Sequence, residues 1–198
     1  MTQNPTLLRS ALVVLALGLA APAAAQTTRR APPPSSSQAV LVGPLIGMEL
    51  DGDGGLALRG DAVVPLSRLS GSATLDGVLS VGLTFFSDDN GRFGPDVDTT
   101  IFKVIPALRL TAPLTPTVGV YGDVGLGFYY GSTTVDSGTF GDQSFDDDGF
   151  GVGMRFAGGL FADVSPRVRV GGEIGLNPYF GQYDDTTLSL LVSLMFRL

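Results

Sequence analysis

From Ala39 to the C-terminus, apolar residues alternate with small or polar ones at a period of two, in stretches bounded by turn-forming residues. Successive residues of a β-strand point to opposite faces, so this period predicts strands. Eight such stretches follow one another, approximately Ala39 to Leu50, Leu56 to Pro65, Ala73 to Phe86, Thr100 to Ala112, Thr117 to Tyr130, Gly149 to Asp163, Arg167 to Phe180 and Thr186 to Leu198. In the sixth, Phe150, Val152, Met154, Phe156, Leu160 and Ala162 share one face. The other carries Gly149, Gly151, Gly153, Arg155, Ala157, Gly159 and Phe161.

The connections alternate in character. The first, third, fifth and seventh are DGDGG, SDDNGRFGPDVD, GSTTVDSGTFGDQSFDD and GQYDD, whereas the second, fourth and sixth are LSRLSGS, LTP and VSP. Polar loops at one end and tight turns at the other describe an up-and-down barrel that crosses a boundary. The even strand number puts both termini at the short-turn end.

Period alone does not say which face is outside, because a soluble barrel buries its apolar face and a membrane barrel exposes it. The second face decides. Opposite Val118, Val120, Val124, Leu126 and Phe128 lie Gly119, Tyr121, Asp123, Gly125, Gly127 and Tyr129. A solvated outer face would be rich in Lys, Glu and Thr. Small residues with a few charges fit the narrow lumen of an eight-stranded barrel instead. The expected fold is all-β: an eight-stranded antiparallel up-and-down transmembrane β-barrel. A soluble periplasmic β-protein, with these charges simply solvated, is the competing reading.

A lumen arginine needs a partner, since an unpaired buried charge costs several kcal/mol. Pairing the fifth and sixth strands with Phe128 opposite Phe150 sets Asp123 opposite Arg155, and a tight turn at Ser165-Pro166 brings Glu173 diagonally beside it. Glu49, Arg59, Asp61, Asp76, Lys103, Arg109, Arg169 and Arg197 share the lumen face, so positive and negative charges nearly balance. That balance points to a closed, salt-bridged interior. Phe85, Phe86, Phe128, Tyr129, Tyr130, Phe150, Tyr179, Phe180 and Tyr183 fall beside the long loops, where an interfacial aromatic girdle belongs. Pro44, Pro106 and Pro178 lie inside strands and predict bulges or shortened strands.

The N-terminus adds an address. Residues 1–25 hold Arg9, the apolar run ALVVLALGLAA and the small-residue ending Ala23-Ala24-Ala25, which reads as a cleaved Sec-type signal peptide. No cysteine is present, which removes a lipid anchor and disulfides. Residues 26–38 form a flexible Pro/Ser-rich leader, and 39–198 the barrel domain. Of 12 basic residues only Arg9 precedes the cleavage point, leaving 11 against 19 acidic ones and a mature charge of −8. Nucleic acid is therefore not an expected partner.

In the last strand, Leu188, Leu190, Val192, Leu194, Phe196 and Leu198 alternate up to the final residue. This resembles the C-terminal assembly signal of Gram-negative outer-membrane barrels, with Phe196 two residues before the terminal Leu198 where the family usually ends on an aromatic. With the signal peptide and eight segments, residues 39–198 resemble a small outer-membrane β-barrel of the OmpA/OmpX-like, porin-family class. The resemblance implies location in the outer membrane, contact with outer-membrane lipid and lipopolysaccharide, and recognition of Phe196 and Leu198 by the barrel assembly machinery.

Catalytic chemistry is thin. Without histidine or cysteine no Ser-His-Asp or Cys-His site is possible, and typical zinc or haem ligation is excluded. Asp61 and Asp76 could face one another, but nothing forms a substrate groove. Gly125-Leu-Gly127 and Gly151-Val-Gly153 complete no dinucleotide fingerprint. The long loops are acidic at Asp51, Asp53, Asp88, Asp89, Asp96, Asp98, Asp136, Asp142, Asp146, Asp147, Asp148, Asp184 and Asp185, against the single basic Arg92. Clustered carboxylates suit Ca²⁺ or Mg²⁺, but no loop has calcium-loop spacing, and the favoured reading is that Asp, Gly, Asn and Ser simply keep surface loops soluble and mobile. No cofactor is expected. The functional expectation is a non-enzymatic envelope or surface protein acting through its external loops, the third (Gly131 to Asp148) foremost. A narrow channel for small or apolar solutes is the alternative.

Overall fold

The computed structural model describes residues 39–51, 53–69, 72–89, 96–136, 144–181 and 184–198. The signal and leader segments, and Arg92, Asp142 and Tyr183, lie outside the described residues. Eight strands follow one another: β1 (Leu41–Asp51), β2 (Asp53–Arg68), β3 (Thr74–Asp89), β4 (Asp96–Pro113), β5 (Val118–Asp136), β6 (Ser144–Ser165), β7 (Val168–Phe180) and β8 (Asp185–Arg197). Each pairs antiparallel with the next, and β1 pairs with β8, closing the barrel.

Following hydrogen-bonded neighbours from Leu41 leads through Val63, Val78, Ala107 and Gly125 to Arg155. Carried on around β7 and β8, the path returns to β1 roughly ten residues beyond its start, a stagger that tilts the strands by ~40°. Tight turns close the end at which β1 begins and β8 finishes. At the β4–β5 turn, Thr115 Oγ1 accepts from the Val118 N–H at 3.0 Å. The Leu198 N–H donates to the Val40 carbonyl at 2.9 Å, fastening the C-terminal residue to the start of β1. β7 runs out at Gly181, whose φ of 123° suits only glycine.

The barrel is inside-out relative to a soluble protein. Phe150 and Val192 are each 65% exposed and Leu160 60%, whereas Arg155 and Glu49 are 1% exposed. This polarity sets aside the soluble reading, because an outer surface of Leu, Val, Ile and Phe is stable only against lipid.

Several expectations change. The strands run past the long-loop end of the apolar stretches: Asp51 pairs with Asp53, so the first loop narrows to a single residue, and most of Gly131 to Asp148 is ladder between β5 and β6. The β-branched Thr133 and Thr134 fit the pleated ladder once it extends this far, and the Thr99 and Thr133 hydroxyls meet across β4 and β5 at 3.1 Å. The three prolines cause neither bulge nor shortening. Register is the same on both sides of each, but the ladder is interrupted beside it: at Pro44 between β1 and β8, at Pro106 between β4 and β5, and at Pro178 between β6 and β7. All three side chains point outward, and each strand simply forgoes the bonds proline cannot donate. The bulges fall near the short-turn end instead, at Pro65/Ser67 and Asp163/Ser165.

Of the nine aromatics expected in the girdle, eight are described and five of those face outward. Phe85, Phe128, Tyr130, Phe150 and Phe180 face outward, joined by Phe102, with Phe128 and Phe150 stacked at 5.4 Å. Tyr129 and Tyr179 are 1% exposed and meet edge-to-face inside, with Phe86 packed against them. Strict alternation puts neighbouring aromatics on opposite faces.

A closed ladder of this kind resists detergent until heated. Membrane-extracted protein is therefore expected to change gel mobility only on boiling, and one mobility with or without heat would contradict the closed barrel.

Candidate functional site

Inward-facing residues of β2 to β7 build a charged layer across the middle of the lumen. Arg59 on β2 donates to Glu173 on β7 through Nη1 at 2.7 Å and Nη2 at 2.8 Å, a two-pronged bond straight across the barrel. Arg59 also grips Asp61 on its own strand at 2.9 and 3.1 Å. Arg109 on β4 holds Asp123 on β5 through Nε and Nη2, both at 2.7 Å. Arg155 on β6 reaches the same carboxylate at 2.7 Å and donates to Ser80 Oγ at 2.6 Å, and the Ser80 hydroxyl donates in turn to Asp61 at 2.7 Å. Tyr121 completes the layer: its hydroxyl donates to Glu173 at 2.9 Å while the Arg109 guanidinium lies 4.0 Å from its ring centre.

A second cluster lies toward the long-loop end. Glu49 on β1 is bonded by Lys103 and Thr187, by Thr84 Oγ1 at 2.7 Å and by the Tyr179 hydroxyl at 2.6 Å. Lys103 donates in turn to the Tyr179 hydroxyl at 2.7 Å. Between them the two clusters tie all eight strands through their side chains. At the short-turn end Arg169 pairs with Asp163 at 2.8 Å over the face of Phe161, and Arg197 lies 3.5 Å from the same carboxylate.

Glycine makes room for these side chains. A Cβ at Gly159 would fall on the Tyr121 ring, and one at Gly151 on the Tyr129 hydroxyl. The empty face of the strands is thus where the large lumen residues lie down. Two small cavities lie among these side chains: one of about 20 Å³ lined by Asp61, Asp76, Arg109 and Tyr121, and one of about 30 Å³ lined by Glu49, Arg59, Lys103 and Arg155. Each has room for a water or two.

All seven charges expected to cluster in the lumen, Glu49, Arg59, Lys103, Arg109, Asp123, Arg155 and Glu173, do point inward. Their pairing differs in detail. Tyr130, not Phe128, faces Phe150, so Gly125 is opposite Arg155 and Asp123 is opposite Ala157. Arg155 still reaches Asp123 because its long side chain spans the diagonal. Glu173 lies opposite Gly159, too far along β7 for Arg155, and is taken by Arg59 instead. Asp61 and Asp76 do not face one another: Asp61 is opposite Ser80, and Asp76 is opposite Pro65 and Arg109. Asp76 accepts from Thr111 at 2.8 Å and Thr74 at 3.2 Å. Ser80, Thr84, Tyr121, Tyr179, Thr187 and Asp163 were not foreseen as partners, although their even spacing from known lumen positions marks each of them as inward.

The loop aspartates are only partly placed. Asp51, Asp98 and Asp148 are exposed at the long-loop end. The side chains of Asp53, Asp88, Asp89, Asp96, Asp146 and Asp147 lie outside the described residues. Phe196 faces outward between Val42 and Val168, and Leu198 is 80% exposed.

Removing one member of a buried ion pair leaves its partner uncompensated. Asp123→Ala strands two guanidinium groups and is expected to cost about 3–5 kcal/mol, read by urea unfolding in lipid vesicles. A loss no greater than that of an exposed Asp98→Ala control would contradict the network.

Residues 11–196 match the model of the family described as outer membrane protein beta-barrel domain. Among solved structures, a major outer membrane protein from Thermus thermophilus superposes with a TM-score of 0.63 at 13% identity, covering 81% of this chain and 99% of that one. Neisserial surface protein A gives 0.52 at 15% identity, with 81% and 95% covered. Ail, the attachment invasion locus protein of Yersinia pestis, gives 0.51 at 14% identity, with 81% and 97% covered. Such low identities establish shared fold alone. A search of curated protein sequences finds no match. With a closed, inside-out, eight-stranded barrel and a family match spanning nearly its whole length, the chain belongs to the outer membrane protein beta-barrel domain family and resides in the Gram-negative outer membrane.

Proposed function

We propose that this protein is a non-enzymatic barrel that is closed to solutes by its charged layer and acts in envelope integrity or surface contact through its long-loop end. The reading takes residues 1–25 as a cleaved signal, residues 26–38 as a leader, and the long-loop end as external. One observation carries it: Arg59 on β2 and Glu173 on β7 are joined across the lumen at 2.7 Å, within a layer that separates two water-sized cavities. Arg155 and Arg109 converge on Asp123 in the same layer. A solute path would need these bonds broken together.

Planar-bilayer recording tests this. The native barrel is expected to show no steady conductance, and the combined Arg59→Ala, Arg109→Ala and Arg155→Ala variant, which removes all three bridges together, to show resolvable openings. Steady conductance of the native protein would overturn the plug and favour the narrow channel.

The external rim is acidic, with Asp51, Asp98 and Asp148 exposed and further aspartates in the loop sequences. Ail has been solved with the heparin analogue sucrose octasulfate. A polyanion of that kind matches this rim poorly without bridging cations. Ca²⁺ or Mg²⁺ shared between loop carboxylates and lipopolysaccharide phosphates fits the charge, with no resident cofactor required. Lipopolysaccharide retained by the purified barrel is expected to fall several-fold when EDTA replaces Mg²⁺, and retention indifferent to the chelator would contradict cation bridging. Recognition of the outward Phe196 and terminal Leu198 by the assembly machinery belongs to the same proposal.

A further inference from the structure

Arg155 is 1% exposed, and its two terminal nitrogens donate to Ser80 at 2.6 Å and Asp123 at 2.7 Å. Its third donor group, the Nε–H, is buried without a partner, the only such side-chain atom among the described residues. A buried donor left unsatisfied carries the full cost of its lost hydration. Arg155 also lines the cavity of about 30 Å³ on the long-loop side of the charged layer, together with Arg59, Ser80, Lys103 and Asn177. Its wall is mixed, with Ala57, Ile105 and Leu191 beside the polar groups, and a cavity of this size holds an ordered water where two or more polar partners line it.

We propose that this cavity is a site for an ordered water molecule that accepts from the Arg155 Nε–H and joins the central layer to the Glu49 cluster. The inference stands independently of whether the lumen conducts. Charge decides between water and a small anion. Arg59, Lys103, Arg109 and Arg155 already meet Glu49, Asp61, Asp123 and Glu173, four positive groups against four negative. A halide added here would leave one buried charge uncompensated. Water brings no charge, accepts from Arg155 through a lone pair, and can donate to oxygens on the wall such as the Asn177 carbonyl. Asn177, 5% exposed, holds its amide nitrogen toward Glu49 and Thr187 at 3.4 and 3.3 Å. The site also gives a reason for arginine at position 155, since a lysine ammonium cannot span Ser80, Asp123 and a third acceptor from one planar fork.

The test uses the full mature protein in detergent. A crystal structure resolving ordered water, with parallel crystals soaked in sodium bromide, is expected to show a peak within hydrogen-bond distance of Arg155 Nε and no anomalous bromide signal. An empty cavity or a bromide peak would overturn the proposal. In solution, the Arg155 Hε resonance is expected to show a cross-peak to a long-lived water that is lost in Asn177→Leu, which fills the cavity, while the unboiled gel mobility of that variant is retained. Absence of the cross-peak in the native protein, or its survival in the filled variant, counts against the site.

Discussion

A strand crossing hydrocarbon finds no water for its N–H and C=O groups, so β1 has to meet β8, and everything else in this barrel follows from that closure. Eight strands staggered by roughly ten residues enclose a lumen only side chains can fill. The outward face answers to lipid and is uniformly apolar. Inside, backbone crowds backbone, which is why Gly151 and Gly159 sit where Tyr129 and Tyr121 lie flat. The tyrosine hydroxyls then reach the carboxylates: Tyr121 reaches Glu173 at 2.9 Å, and Tyr179 reaches Glu49 at 2.6 Å.

Enclosure changes the meaning of the lumen charges. On a wet surface an ion pair contributes little. In a lumen where these side chains are nearly fully buried, each charge must be matched in sign and in hydrogen bonds, and the match here is close. Asp123 takes three donors from two arginines, and Glu49 takes bonds from Lys103, Thr84, Tyr179 and Thr187. The prolines show the same constraint from outside: Pro44, Pro106 and Pro178 each interrupt one ladder without shifting register, because the neighbouring pairs hold it.

Much of this was legible in the sequence. Period two, the alternation of loop types and the glycine-rich second face are local properties, and they yield strand count, inside-out polarity and the face on which the lumen charges lie, but not their division into two clusters. Strand ends were less legible, because Ser132 to Thr134 and Asp146 to Asp148 read as loop chemistry yet pair as strand once a template strand lies alongside. Partners across the lumen were not legible at all. Arg59 and Glu173 are separated by 114 positions and meet only through the barrel's stagger, which no single strand encodes.

The register between β5 and β6 shows what the charged layer does for the fold. Setting Phe128 rather than Tyr130 against Phe150 is a slip of two residues, and a slip of two leaves every side chain on its proper face. Alternation therefore cannot distinguish the native register from its neighbours, and neither can lipid. The lumen can. A two-residue slide of β6 against β5 moves Glu173 by one pleat relative to Arg59, separates Arg155 from Asp123 and strands buried charge at several kcal/mol apiece. An apolar filling of the same volume would occupy the lumen as well, and buried ion pairs often contribute less stability than such a filling. Unlike Leu or Val, however, a fork of arginine on carboxylate accepts one partner position and rejects the next. The charged layer across the lumen is thus the feature that selects one register among those the alternating pattern allows.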